Sequence, residues 1–315
     1  MPQTRRDFGK VLLASLPLAR KLGAAPIDSR ISGVQLGAIT YSFNRIATPD
    51  PEAIIQAYVE VGLGEAELMS NHCEALAGAP RAAPGRGGRG TLTPEQQAER
   101  QAQQETLRRW RAASGPSTWS AVRKKFNDAG VEVALLCYNM NDNMKDEDVE
   151  YGFAMAKGLG VRAISTSTTL TMAKRIAPIA ESHQMMIGYH GHDATDDPNQ
   201  TATLASYDTL MAYGKYNGVN LDIGHFTAAN YDPVEFIKQH HAKITNLHVK
   251  DMKRNHGTYT PFGEGDTPIK GVLQLLKKEK YAFPANIELE YRFPAESNLL
   301  AEMKKCVSYC KDCLA

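Results

Sequence analysis

The chain has 315 residues, 43% of them hydrophobic, with 36 basic against 35 acidic side chains and a formal net charge of +1. That length can bury a full core, and the balanced charge leaves no basic excess for a phosphate backbone, which argues against nucleic acid as a partner. No apolar run reaches the roughly 18 to 20 residues of a spanning helix, so no membrane segment is expected in the mature chain.

The first element is a leader. Thr4-Arg5-Arg6-Asp7-Phe8-Gly9-Lys10 precedes an apolar stretch over 11–19, then Arg20-Lys21 and small residues over 22–25 before Pro26. This is the layout of a twin-arginine export signal. Residues 1–28 are read as that signal and 29–315 as the domain, exported to the periplasm or the cell exterior. Export permits disulfides, but the five cysteines suggest no framework. Cys306, Cys310 and Cys313 are expected as small buried residues of the last helix, and Cys73 and Cys137 stand far apart.

From residue 34 the chain alternates strand and helix. Apolar, β-prone runs predict strands over 34–39, 64–69, 131–137, 161–167, 185–190, 219–223, 244–249 and 284–291. Helical spacing and start signals predict helices over 51–61, 117–129, 147–158, 172–183, 201–213, 233–240, 268–278 and 297–313. An insertion at about 75–116 interrupts the second unit. It begins as a loop rich in Ala, Pro, Gly and Arg and continues as a polar helix over 93–111 opening on Thr-Pro-Glu. With Trp110 as its anchor, this insertion is expected to fold over the pocket or to join a subunit contact in a homo-oligomer. Eight strand–helix units imply parallel pairing and a (β/α)8 TIM barrel, an α/β fold. A doubly wound open sheet is the alternative, but no G-x-G-x-x-G turn follows the first strand.

Strand alternation then selects a site. In N-L-H-V-K-D (246–251), Asn246, His248 and Lys250 share one face, and in N-L-D-I-G-H (220–225) Asn220, Asp222 and Gly224 do so. G-Y-H-G-H-D (188–193) puts His190 and His192 together, and N-I-E-L-E-Y (286–291) aligns Glu288 with Glu290. Barrel chemistry sits at the C-terminal strand ends, where His72, His190, His192, His225, His248 and His256 also fall. His183, His240 and His241 fall on helices and are expected to be solvated. His190, Asp222, His248 and Glu288, from four consecutive strands, are expected to hold one divalent ion. Two imidazoles and two carboxylates suit Mn²⁺, Zn²⁺, Co²⁺ or Fe²⁺ rather than Ca²⁺. Both glutamates of the last strand face inward; Glu288 is placed on the metal and Glu290 beside it or on substrate. His192 is expected to donate a proton or bind a hydroxyl, Lys250 to hold a substrate oxygen, and His225 to line the pocket. Tyr41 and Glu67 face either substrate or structure. Glu264, in a Gly-flanked turn, caps the mouth or simply makes the turn.

G-V-Q-L-G-A-I-T-Y-S-F, Y-H-G-H, L-D-I-G-H, L-H-V-K-D, F-G-E-G and I-E-L-E-Y, in that order, resemble the sugar phosphate isomerase/epimerase family with a xylose-isomerase-like barrel. The resemblance runs from about residue 34 to the C-terminus, apart from the insertion. It implies a divalent metal, Mn²⁺ first, that chelates adjacent oxygens of a sugar or keto-sugar, and an acid/base residue that moves a proton next to the carbonyl. One position departs from the ketose epimerases of the family, where a glutamate stands in place of His190. The His-x-His form resembles the inosose-dehydratase-like branches, in which loss of the proton leads to loss of a β-leaving group. The expectation is a metal-dependent isomerase/epimerase or lyase acting on a small unphosphorylated sugar, with Glu288 or Glu290 as base and His192 as acid. An exported, non-catalytic sugar-binding barrel is the alternative class. An apurinic endonuclease is disfavoured by the near-neutral charge.

Overall fold

The computed structural model describes residues 24–47, 50–80 and 93–315, so the leader read from residue 1 lies outside it as far as residue 23. Eight parallel strands close into a barrel: β1 (Val34–Ile39), β2 (Glu65–Met69), β3 (Glu132–Cys137), β4 (Ala163–Ser167), β5 (Met186–His190), β6 (Asn217–Asp222), β7 (Ile244–Val249) and β8 (Ala285–Ile287). Consecutive strands are neighbours throughout, and β1 pairs with both β2 and β8 to shut the ring. The helices that return the chain are α1 (Ala53–Val61), α2 (Pro94–Ala113), α3 (Pro116–Asp128), α4 (Asp146–Leu159), α5 (Leu170–His183), α6 (Leu204–Ala212), α7 (Pro233–His240), α8 (Ile269–Glu279) and α9 (Leu299–Leu314). The (β/α)8 expectation holds, and most boundaries fall within two or three residues of those predicted. Among the described residues no helix is long and apolar enough to cross a membrane.

The apolar core lies between the strands and the helix ring, where Leu36, Tyr58, Leu68, Trp119 and Phe153 are fully buried. Inside the barrel the side chains are instead polar. Asn220, Asn246, Asn286, Ser165 and Glu67 are all buried there and bonded to one another. Gly37 makes room for this arrangement, since a Cβ on it would come within 2.5 Å of Asn286 Oδ1.

Residues 24–28, set aside with the leader in the sequence, lie across the barrel base: Ile27 N–H donates to Gly130 O at 2.8 Å and Ile27 packs on the core. The helix of the insertion, α2, starts at a capping box between Thr93 and Gln96 and buries no residue of its own. Its C-terminal end is docked. Trp110 meets Trp119 of α3 edge-on at 5.9 Å, and Arg111 grips the buried Glu74 with two bonds of 2.7 and 3.0 Å. Trp110 thus anchors the helix, but against the outer wall: no described residue of the insertion lines the main cavity. Residues 81–92 lie outside the described part. All five cysteines are buried thiols.

Glu65 opens β2 and is nearly inaccessible, with Arg162 at 3.3 Å. Burial raises its pKa to about 7, against the opposing pull of Arg162 and with help from Glu132. A carboxyl raised in the folded state binds its proton more tightly there than in the unfolded chain. Its stabilising contribution is complete below the ordinary carboxyl range and is lost as pH climbs through about 7. The gap corresponds to about 3 kcal/mol at most. We expect thermal stability to fall between pH 5 and pH 8, and Glu65→Gln to flatten that slope; parallel slopes in the two proteins would contradict the assignment.

Candidate active site

β5 to β8 each deliver one candidate ligand at the C-terminal end of the barrel. His190 and Asp222 are the last residues of β5 and β6, His248 is the penultimate residue of β7, and Glu288 follows β8 directly. All four are buried, and one ligand atom from each lies within 4.8 Å of the others. Asp222 is fixed from behind, because its Oδ1 accepts the His225 N–H at 2.8 Å and so caps the short helix Ile223–Ala228. Its other oxygen is left free of that duty.

His190 Nδ1 is buried without a hydrogen-bond partner, while Asp222 Oδ2, His248 Nδ1 and Glu288 Oε2 meet charged neighbours within the cluster. Among them, His248 Nδ1 and Glu288 Oε2 are 2.8 Å apart. A buried polar atom without a partner is unfavourable by about 1–3 kcal/mol, which leaves His190 Nδ1 open to a ligand. The donor set fits a divalent transition metal.

Lys250 balances the charge from one side. Its buried Nζ lies 3.1 Å from Asp222 Oδ2 and 2.9 Å from Glu288 Oε2, and it is bonded to Glu290. Burial works against the ammonium, but these carboxylates outweigh it and hold the lysine pKa well above its usual value. Burial likewise opposes charge on Glu288, yet Lys250 and His248 lower its pKa well below the ordinary range. His248 stands between Glu67 and Glu288, which override burial and raise its pKa well above that of a free imidazole. His190 is pushed the opposite way, by burial and then by His248.

A cavity of about 300 Å³ opens above this cluster, walled by Tyr41, His192, His225, Lys250, Tyr259 and Glu290 among others. His192 packs between the rings of His190 and His225 at 4.7 and 5.0 Å. Burial, then His225, lowers its pKa, so it is neutral near pH 7 rather than a standing acid. Tyr41 is exposed at the rim, where partial burial and then the charge of Glu290 raise its pKa. Of the two last-strand glutamates, only Glu288 belongs to the ligand cluster; Glu290 faces the cavity.

Two expected substrate contacts are placed elsewhere. Glu67 is fully buried beneath the cluster and does not line the cavity. Glu264 is exposed on the Pro261–Gly265 turn and also does not line it. That turn is held by Asp251, whose carboxylate accepts the N–H groups of Gly263, Gly265 and Thr267 at 2.8 to 3.2 Å. His72 is buried in the helix Ser70–Leu76 on Thr40 Oγ1, away from the cavity. His183, expected to be solvated, stacks on Phe153 and pairs with Glu150.

The sequence passed over Asp193 and Tyr259. Asp193 joins two segments: its Oδ1 meets His225 Nδ1 at 2.9 Å and its Oδ2 meets His256 Nδ1 at 3.2 Å. This bond fixes the His225 ring and leaves Nε2 for the cavity. The one signal was its position directly after His192. Tyr259 lines the cavity with Lys250 Nζ 5.3 Å from its ring centre. Nothing in its local sequence marked it.

Residues 166–309, which carry all four candidate ligands, match the family described as xylose isomerase-like TIM barrel. The chain is 26% identical to the inosose dehydratase of Clostridium botulinum (strain Eklund 17B / Type B) across 44% of this chain and 51% of that protein. It therefore spans about half the length of the curated relatives it matches. Among solved structures it is similar to the probable 3-DHS dehydratase of Bacillus anthracis, with a TM-score of 0.58 and 17% identity over 86% of this chain and 97% of the other. It is also similar to an IOLI protein with a bound zinc atom, with a TM-score of 0.58 and 14% identity over 89% of this chain and 98% of the other. At such identities these structures support the fold alone.

Proposed function

We propose that the chain is a divalent-metal-dependent enzyme that takes a proton from the carbon next to a carbonyl of a sugar, keto-sugar or related polyol. Elimination of a neighbouring hydroxyl, a lyase reaction, is favoured over symmetric epimerisation. The observation that carries this reading is the convergence of His190, Asp222, His248 and Glu288, with one ligand atom of each within 4.8 Å of the others, at the bottom of a small cavity. The similarity to inosose dehydratases supports the substrate class and the dehydration. The export signal read from the sequence, ahead of residues 24–28 that pack on the barrel, supports export and an unphosphorylated substrate as part of this proposal.

When bound, the ion supplies Lewis acidity toward a substrate carbonyl oxygen. Mn²⁺ and Zn²⁺ are the first candidates, the former from the family resemblance and the latter because the IOLI relative binds it. Glu290 is the carboxylate left over from the ligand cluster and takes the carbon-bound proton. Lys250, held protonated, keeps Glu290 in place and offers donors to substrate oxygens. The proton that Glu290 takes is passed to the departing hydroxyl with His192, neutral at the outset, as the relay, so that the hydroxyl leaves as water, Glu290 and His192 return to their starting forms, and no electrons are exchanged with a co-reactant. His225, clamped by Asp193, positions a substrate hydroxyl. Epimerisation needs a second carboxylate opposite Glu290, and that side of the cavity holds His192 and His225 instead.

The test is metal analysis of the purified protein, then incubation with inosose-type ketones and 3-keto-sugars in D₂O with and without EDTA. We expect about one ion per chain, an unsaturated product, loss of turnover on chelation, and recovery with Mn²⁺ or Zn²⁺. A deuterated C2 epimer with no unsaturated product would rule out elimination. Undiminished turnover after chelation would rule out the metal.

A further inference from the structure

Glu67 has no part in the chemistry above, yet it is the most heavily bonded side chain in the barrel. We propose that it is a positioning residue that fixes the tautomer and ring angle of His248, so that Nδ1 is presented to the ion. This inference rests on the metal reading of the cluster.

Five side chains from four other strands converge on its carboxylate. Ser165 of β4 bonds Oε1, and Asn220 of β6 reaches the same oxygen at 3.4 Å. Oε2 takes Asn246 Nδ2 at 2.9 Å, Asn286 Nδ2 at 3.2 Å and His248 Nε2 at 2.7 Å, from β7 and β8. The imidazole contact is the shortest of the three on Oε2. All of these partners are buried.

The chemistry of the contact sets the tautomer. A carboxylate only accepts, so a bare Nε2 at 2.7 Å would set lone pair against lone pair. The other neighbour of Nε2, Asn220 Nδ2 at 3.1 Å, is a donor and cannot take the Nε2 hydrogen. Nε2 therefore carries a hydrogen directed at Glu67, and Nδ1 is the nitrogen that meets Glu288 and the rest of the cluster. A carboxylate behind a metal-ligating histidine fixes its orientation and strengthens it as a donor, and losing such a partner typically weakens metal binding roughly 10- to 100-fold. The amide donors serve a further purpose. With four other groups bonded to it, Glu67 cannot rotate to follow the ring, so the ring must follow Glu67.

A purely structural role would make Glu67 a tie between strands and nothing else. Two variants separate these roles. Glu67→Gln keeps shape but places an amide against His248 or against the asparagine donors; Asn286→Ser removes one floor bond without touching His248. Zn²⁺ alone is the probe, with its affinity measured by competition with a chelator, alongside melting temperature and ¹⁵N spectra of the zinc-loaded protein. We expect Glu67→Gln to bind Zn²⁺ roughly 10- to 100-fold more weakly and to lose the uniform Nε2–H, Nδ1-ligated signature of His248. Asn286→Ser should melt lower with Zn²⁺ affinity within a few-fold of the parent. Equal Zn²⁺ affinity in Glu67→Gln and the parent overturns the proposal and leaves the metal reading intact. No Zn²⁺ binding by the parent overturns both. Should Glu67→Gln fail to fold, Glu67→Asp, which draws the carboxylate back by one methylene, is scored by the same criterion.

Discussion

Asp222→Ala is expected to abolish metal binding and turnover together, with activity down roughly 10³-fold or more, since each 1.4 kcal/mol of lost transition-state stabilisation is tenfold and a Lewis acid supplies several. Asp222 is the sharpest probe because its two oxygens are divided between tasks. Oδ1 caps the helix Ile223–Ala228, and Oδ2 faces the cluster. Alanine removes both functions, whereas asparagine retains a capping oxygen and loses the charge. Loss of the cap alone is worth about 1 kcal/mol. Asp222→Asn should therefore melt close to the parent in the chelated state while still failing to retain the ion. Full metal occupancy in either variant, measured on the purified protein, would remove Asp222 from the ligand set and the proposed centre with it.

The second large effect concerns the chelated protein. Lys250→Met is expected to destabilise it by about 3–5 kcal/mol, the usual result of removing one partner from a buried ion pair. Asp222, Glu288 and Glu290 all lose their ammonium at once in this variant. For a chain of this size that is a drop in melting temperature of about 6 °C or more. A divalent ion added back should recover much of the loss, because it binds only the folded cluster and brings its own positive charge. Heating the parent and Lys250→Met in EDTA, Mn²⁺ and Zn²⁺ measures this directly. Equal stability of the two proteins in EDTA would mean that the three carboxylates do not depend on the lysine.

Much of this architecture can be read from period-two alternation. Apolar strands that put His190, Asp222, His248 and Glu288 on their inner face at successive C-terminal ends could hardly be arranged otherwise once the barrel closed. The choice between Glu288 and Glu290 was open because alternation places both on one face. The structure separates the two positions where β8 stops. Glu288 N–H still bonds Val249 O, but Leu289 N–H turns to Ser42 Oγ, so Glu288 stays level with the other ligands while Glu290 climbs the wall. Contacts that depend on closure stayed hidden. The Asn286–Glu67 bond joins residues 219 apart in the chain, and no local pattern distinguishes a glutamate beneath the ligands from one above them. Asp193 was missed for a related reason: its partners arrive from elsewhere in the chain, His225 on the short helix Ile223–Ala228 and His256 on a turn after β7. The helix Ser70–Leu76 had no counterpart in the sequence reading, which assigned no element between the strand over 64–69 and the insertion from about 75.

The three backbone bonds that Asp251 accepts pin the loop that follows β7. Gly265 could not carry a side chain without striking Asp251 Oδ1, since an added Cβ would fall 1.9 Å from it, and Gly263 turns with φ at +90°. Charge-assisted bonds from one buried carboxylate to three amides leave such a turn little freedom to swing. Lys250, next to Asp251, and Tyr259, paired with Met252, line the cavity and adjoin this pinned loop, so their places in the cavity wall are set by the fold.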